Sequence, residues 1–158
     1  MKHLNQFITE YIIKKKLDKP IDSEHNYKYF PETKRELIDN IKELLDKEET
    51  DLNCIDTSKI TNMTSIFFQC INFDCDLSNW DVSNVEDMNY MFQYCKNFEG
   101  KGLENWDVSN IINMNYMFYE CENLNCNLSN WDVSKAQNMS SVFDSCTALK
   151  NKPSWCKE

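Results

Sequence analysis

The sequence predicts an α/β repeat fold, a right-handed solenoid of four strand-turn-helix units with an N-terminal helical cap. Three observations predict it. The tetrapeptide Trp-Asp-Val-Ser opens at Trp80, Trp106 and Trp131, at spacings of 26 and 25 residues. Within each unit the apolar positions pass from alternation to helical spacing. A helix-start pattern, Thr33-Lys34-Arg35-Glu36, stands just ahead of the first unit.

Alignment on the tetrapeptide gives four parallel segments. The second runs Trp80-Asp81-Val82-Ser83, then Val85, Met88, Met91, Phe92, Cys95 and Phe98. The third repeats this from Trp106 with Ile111, Met114, Met117, Phe118, Cys121 and Leu124. The fourth starts at Trp131 and carries Ala136, Met139, Val142, Phe143, Cys146 and Leu149. The first is more degenerate: Ile55-Asp56-Thr57-Ser58, then Ile60, Met63, Ile66, Phe67, Cys70 and Phe73. Ten columns agree in chemical type, so the units share one structure.

Trp80 and Val82 flank Asp81, which predicts a strand with one buried face. Positions 85, 88, 91, 92 and 95 then predict a helix. Ser83 with Glu86, and Ser134 with Gln137, fit a capping box. The polar column Asn62, Asp87, Asn113 and Asn138 offers a different cap for a shorter helix, and both boundaries stay open. One unit cannot bury its apolar face alone, so stacked copies share a core, with parallel strands roughly 4.8 Å apart.

Leu37, Ile38, Ile41, Leu44 and Leu45 follow Thr33 at helical spacing, and the helix they predict is assigned to cover the first unit. The resulting organisation is residues 1–30 an amphipathic helix and arm, 31–50 a capping helix, 51–151 four repeats, and 152–158 a C-terminal cap. In the arm, Leu4, Phe7, Ile8, Tyr11 and Ile12 form an apolar stripe ahead of Lys14-Lys15-Lys16. It packs on the repeats or on its own copy, docks onto another protein, or lies on a membrane surface. Pro153, Ser154, Trp155 and Cys156 read as an abortive fifth strand that closes the core.

Residues 77–95, Leu-Ser-Asn-Trp-Asp-Val-Ser-Asn-Val-Glu-Asp-Met-Asn-Tyr-Met-Phe-Gln-Tyr-Cys, closely resemble the BspA-like leucine-rich repeat. The match is to the short form of mycoplasma surface lipoproteins and of gut-bacterial and phage proteins. The resemblance covers Asp51 to Asn151. It implies a leucine-rich-repeat-like solenoid used for adhesion or protein interaction, and it allows a surface location.

Composition narrows the function. The net charge is −9, and residues 51–158 hold 7 Lys and Arg against 15 Asp and Glu. An acidic repeat surface repels phosphate, so nucleic acid is not an expected partner. No stretch reaches the roughly 20 apolar residues of a transmembrane helix. The first residues lack a secretory signal pattern, which points to a cytoplasmic or intracellular protein.

Eight cysteines invite a metal reading, yet Cys70, Cys95, Cys121 and Cys146 fall in one column. A ladder at strand spacing cannot converge on one tetrahedral zinc. Neighbouring thiols approach disulfide distance, but reduced, buried thiols are the expectation. His3 and His25 both lie in the arm, and the two glycines, Gly100 and Gly102, form no phosphate loop. No catalytic residue, metal or cofactor is therefore expected.

Candidate partner-binding residues fall in three sets. Asp56, Asp81, Asp107 and Asp132 should face outward, either to bond turn backbone in their own unit, to form an acidic face, or to hold calcium. Asn79, Asn105 and Asn130 precede the tryptophans. Tyr90, Tyr94, Tyr116 and Tyr119, with Phe68, occupy non-core columns, as ordinary packing or as an interaction patch. The expected function is a non-catalytic protein-protein interaction module with another protein, a basic one by charge. The alternative is a structural or self-assembling component of a surface layer or phage. The sequence leaves the oligomeric state open.

Overall fold

The computed structural model describes residues 26–48 and 51–156. The expected arm helix at residues 1–20 lies outside them. Among the described residues one α-helix, α1, spans Lys34–Asp46. Thr33 is extended, and its hydroxyl accepts from the Glu36 N–H at 3.2 Å. The Glu36 carboxylate reaches back to the Glu32 N–H at 2.7 Å, so two backbone donors at the helix start are satisfied. Leu37, Ile41 and Leu44 turn into the core, and Lys34 Nζ donates to the Thr64 carbonyl.

The repeats correct the expected architecture. Among the described residues there is no strand and no helix after α1 beyond short 3₁₀ turns at Leu52–Cys54 and Leu103–Asn105. The strand-turn-helix solenoid of leucine-rich-repeat type is not what this chain builds. Each unit is instead a run of tight turns. Among the described residues the strand-like pairing is confined to isolated parallel bridges, Tyr29 to Ile55 and Asn62 to Asp87 to Asn113 to Asn138.

The hydrogen bonds give the reason. At the expected strand, the Asp81 carboxylate accepts from the Ser83 N–H at 3.0 Å, and the Trp80 N–H turns back to the Leu77 carbonyl at 3.1 Å. The backbone is spent on local turns and cannot form a ladder. At the expected helix the N–H groups alternate. Met91, Gln93 and Cys95 donate three residues back, to Met88, Tyr90 and Phe92. Met88, Tyr90, Phe92 and Tyr94 donate to the next unit, at Asn113, Asn115, Met117 and Tyr119. Tyr90 and Tyr94 adopt left-handed φ of 59° and 64°, which no helix contains. Neither expected capping box forms. Ser83 bonds Asp81, and Asp87 accepts from Asn89 N–H at 3.0 Å as an Asx turn.

The units stack with their apolar columns in register. Phe67, Phe92, Phe118 and Phe143 lie face to face at 5.4, 5.5 and 5.6 Å between ring centroids. Trp106, Trp131 and Trp155 stack at 6.4 and 6.2 Å. Trp80, Trp106, Trp131 and Trp155 each send Nε1–H to a backbone carbonyl one unit earlier, on Leu52, Leu77, Leu103 and Leu128. An indole buried by its ring area therefore keeps its polar tip satisfied. One continuous core results, running from α1 to Trp155.

One connection is longer by a residue. Phe98 to Leu103 takes five steps, where Phe73 to Leu77 and Leu124 to Leu128 take four. Gly100 and Gly102 absorb the extra residue at φ of 87° and 88°. A Cβ on Gly102 would sit 2.4 Å from the Ser78 nitrogen.

Candidate functional site

The four aspartates of the tetrapeptide column are engaged in their own turns. Asp56, Asp81, Asp107 and Asp132 each accept from the N–H two residues on, at Ser58, Ser83, Ser109 and Ser134, all at 3.0 Å. The Ser109 hydroxyl and N–H hold the Asp107 carboxyl below the usual carboxylate range, and the Ser134 N–H and hydroxyl do the same for Asp132. Asn79, Asn105 and Asn130 are exposed at the corner before each tryptophan. The Asn79 N–H donates to Asn53 Oδ1 at 2.9 Å, and its carbonyl accepts from the Tyr27 hydroxyl at 3.3 Å.

The tyrosines form a different surface, nine residues further along each unit, as in Asp81 to Tyr90 and Asp107 to Tyr116. Tyr90 stacks on Tyr116 at 5.5 Å, with the ring planes 8° apart. Tyr116 meets Tyr119 edge-on at 5.7 Å, Tyr119 meets Tyr94 at 5.7 Å, and Tyr94 meets Phe68 at 6.1 Å. Five rings thus make one unbroken patch across the first three units. Phe68 and Tyr90 are exposed and the other three half-buried. Glu120 and Asp144 border the patch, and the Glu120 carboxylate pushes the Tyr119 hydroxyl pKa up. Lys96 pairs with Glu122 at 2.6 Å and with Glu120 at 3.9 Å. Sequence reading found the tyrosines but missed the acidic border, which stands out only when non-core columns are also aligned.

The cysteine column does not gather. Cys95, Cys121 and Cys146 are buried, and each thiol bonds a carbonyl one unit earlier, on Phe67, Phe92 and Phe118, at 3.0 Å. Burial pushes the Cys95 and Cys121 thiols far up, and Cys146 and Cys126 to about 12. They are poor nucleophiles. Cys70, the first of the column, is exposed. Among the described residues no group of three or more His, Cys, Asp or Glu side chains is placed to hold a metal ion. No helix of the described residues is long and apolar enough to cross a membrane.

The chain matches a family described as Mycoplasma protein of unknown function, DUF285, over residues 35–155. It belongs to that family. The DUF285 match opens inside α1 and ends at Trp155, so it spans the same residues that the continuous core joins. No curated protein and no solved structure matches the chain.

Proposed function

We propose that this DUF285 protein is a non-catalytic protein-protein interaction module, and that its recognition face is the aromatic patch of Tyr90, Tyr94, Tyr116 and Tyr119. The backbone beneath the tyrosines carries the reading. Tyr90, Tyr94 and Tyr116 stand at φ of 59°, 64° and 54°. A left-handed conformation costs a residue with a Cβ roughly 1–2 kcal/mol. The same columns hold Ser65, Ser141, Gln69 and Ser145 in other units, all at positive φ. The turns therefore do not require an aromatic there, and three large rings are held in a costly conformation and half in water. Residues kept under such strain cluster at binding surfaces.

The partner's chemistry follows from the surroundings. Ring faces beside Glu120 and Asp144, on repeats with an excess of acidic residues, suit a segment carrying Arg or Lys. The resemblance of residues 77–95 to BspA-like repeats, a group associated with adhesion and protein interaction, agrees with this. The tetrapeptide aspartates are assigned to the turns they close.

The test uses substitutions that the fold already accepts. Tyr90→Ser with Tyr116→Ser places in the middle units the residue found in the first and last. Full-length protein and this variant would be used to capture partners from the source cells, with direct titration of the captured protein. The variant is expected to melt within a few degrees of the wild type and to lose the partner at least about tenfold. Equal affinity in the two proteins would remove the aromatic patch from consideration.

A further inference from the structure

The columns around the tyrosine patch change character along the stack. From the first unit to the fourth, the column of Tyr119 reads Phe68, Gln93, Tyr119 and Asp144. The column of Tyr94 reads Gln69, Tyr94, Glu120 and Ser145, and the column two residues on reads Ile71, Lys96, Glu122 and Thr147. In these columns the first unit brings apolar side chains and no charge. The third and fourth bring the carboxylates of Glu120, Glu122 and Asp144.

Exposure follows the same grading. Phe68 is 41% exposed and Ile71 53%. Tyr90 joins them among the exposed large hydrophobic side chains of the described residues, and Leu45 on α1 is the one that lies elsewhere. Apolar surface gathered in this way marks an interaction site, whereas single exposed side chains do not. At the far end Glu120 and Glu122 share one ammonium, that of Lys96, at 3.9 and 2.6 Å. Asp144 is exposed and has no side-chain partner among the described residues. That end is therefore left acidic.

The stacking fixes the distance between the two ends. Phe68 and Asp144 stand in one column three units apart, which is about 14 Å at roughly 4.8 Å per unit. The rings between them are continuous, with Phe68 on Tyr94 and Tyr94 on Tyr119. An extended segment rises roughly 3.3 Å per residue and puts alternate side chains on one side. Four residues of it cover the distance, and the first, third and fifth side chains face the patch.

We infer that the patch binds an extended segment of another protein that lies along the stack and carries an apolar side chain and an arginine four residues apart. The apolar side chain sits over Phe68 and Ile71, the arginine reaches Asp144 and Glu120, and the residue midway covers Tyr94 and Tyr119. The inference rests on the tyrosine patch being the recognition face, and it adds which end of the partner segment meets which unit. Arginine suits the acidic end because its guanidinium offers paired N–H donors to a carboxylate and a flat face to a tyrosine ring. A wholly apolar segment would cover Asp144 and Glu120 without pairing them, and an acidic one would be repelled.

The probe is a fluorescein-labelled peptide, Leu-Ser-Ala-Ser-Arg-Ser-Ala-Ser-Leu, with a leucine four residues to either side of the arginine, so that it serves in both chain directions. The control, Ser-Ser-Leu-Ala-Arg-Ala-Leu-Ser-Ser, has the same composition with the leucines two residues away. Binding to the full-length protein is followed by fluorescence polarisation. The probe is expected to bind at least about tenfold more tightly than the control. Its binding should weaken as salt rises from about 20 mM to about 500 mM. Asp144→Asn with Glu120→Gln is expected to weaken the probe at low salt and to remove the salt dependence. Phe68→Ser with Ile71→Ser is expected to weaken it and to keep the salt dependence. All four side chains are at least partly exposed, so both variants should melt within a few degrees of the wild type. Equal binding of the two peptides, or no binding of the probe at millimolar concentration, overturns the inference. If the partner captured from cells is still lost in the Tyr90→Ser, Tyr116→Ser variant, that result removes the graded partner and leaves the patch as the recognition face.

Discussion

Buried thiols and turn-bound carboxylates make the stability of this fold depend on pH in opposite directions. The Cys146 and Cys126 thiols rise to about 12 from 9.0 because burial disfavours the thiolate. Below pH 9 folded and unfolded chains both hold these protons, and the contribution is constant. Above it the unfolded chain releases protons that the fold retains, so stability falls as pH climbs from 9 towards 12. The slope is at most about 1.4 kcal/mol per pH unit for each thiol. Denaturant melts from pH 8 to pH 11 should show this loss. Cys121→Ala should weaken the fold at pH 8, by leaving the Phe92 carbonyl without its thiol donor, and should flatten the alkaline slope. An unchanged slope would mean that the column does not govern the alkaline limit. On the acid side the signs reverse. Asp76, Asp107 and Asp132 have lowered pKa values through the Ser78, Ser109 and Ser134 bonds, so their contribution holds above the usual carboxylate value and disappears as pH falls through the folded ones.

At the scale of the element, the turn replaces the helix and the strand. The longer connection shows how tight these turns are. Gly102→Ala would set a methyl group against the Ser78 backbone at a φ that disfavours it. A cost of at least about 2 kcal/mol is expected, which lowers the Tm of a chain this long by about 4–8 °C. A variant that melts like the wild type would show that the connection can shift. Helix α1 was legible because Thr33 and Glu36 are local signals that act through their own backbone. The repeating element was misread for a definite reason. Inward residues at 88, 91, 92 and 95 satisfy helical spacing, yet successive three-residue turns place the same residues inward. The contrary signal was present in the Asn, Asp and Ser content around them, since these side chains compete for backbone hydrogen bonds. It also lay in Asn89 and Asn115, whose side chains bond Asn115 N–H and Ser140 N–H of the next unit. The tyrosine columns could be picked out from the repeat alignment, but not their merger into one patch.

Across the whole molecule, rows of like residues lie over one another, and the excess of acidic side chains accumulates on one stack. Raising salt from about 20 mM to about 500 mM should therefore raise Tm, as screening relieves repulsion. A fall instead would show that attractive pairs such as Lys96 with Glu122 dominate. The sequence by itself determined the repeat length, the shared interior of Trp, Met, Phe and Cys, the helix ahead of it and the acidic character, because each is a property of residue type and spacing. Only the tertiary structure decided which backbone those spacings build. That choice depends on whether an N–H finds its carbonyl four residues back or 24 or 25 residues away in the next unit, and the partner in the next unit exists only after the chain has stacked.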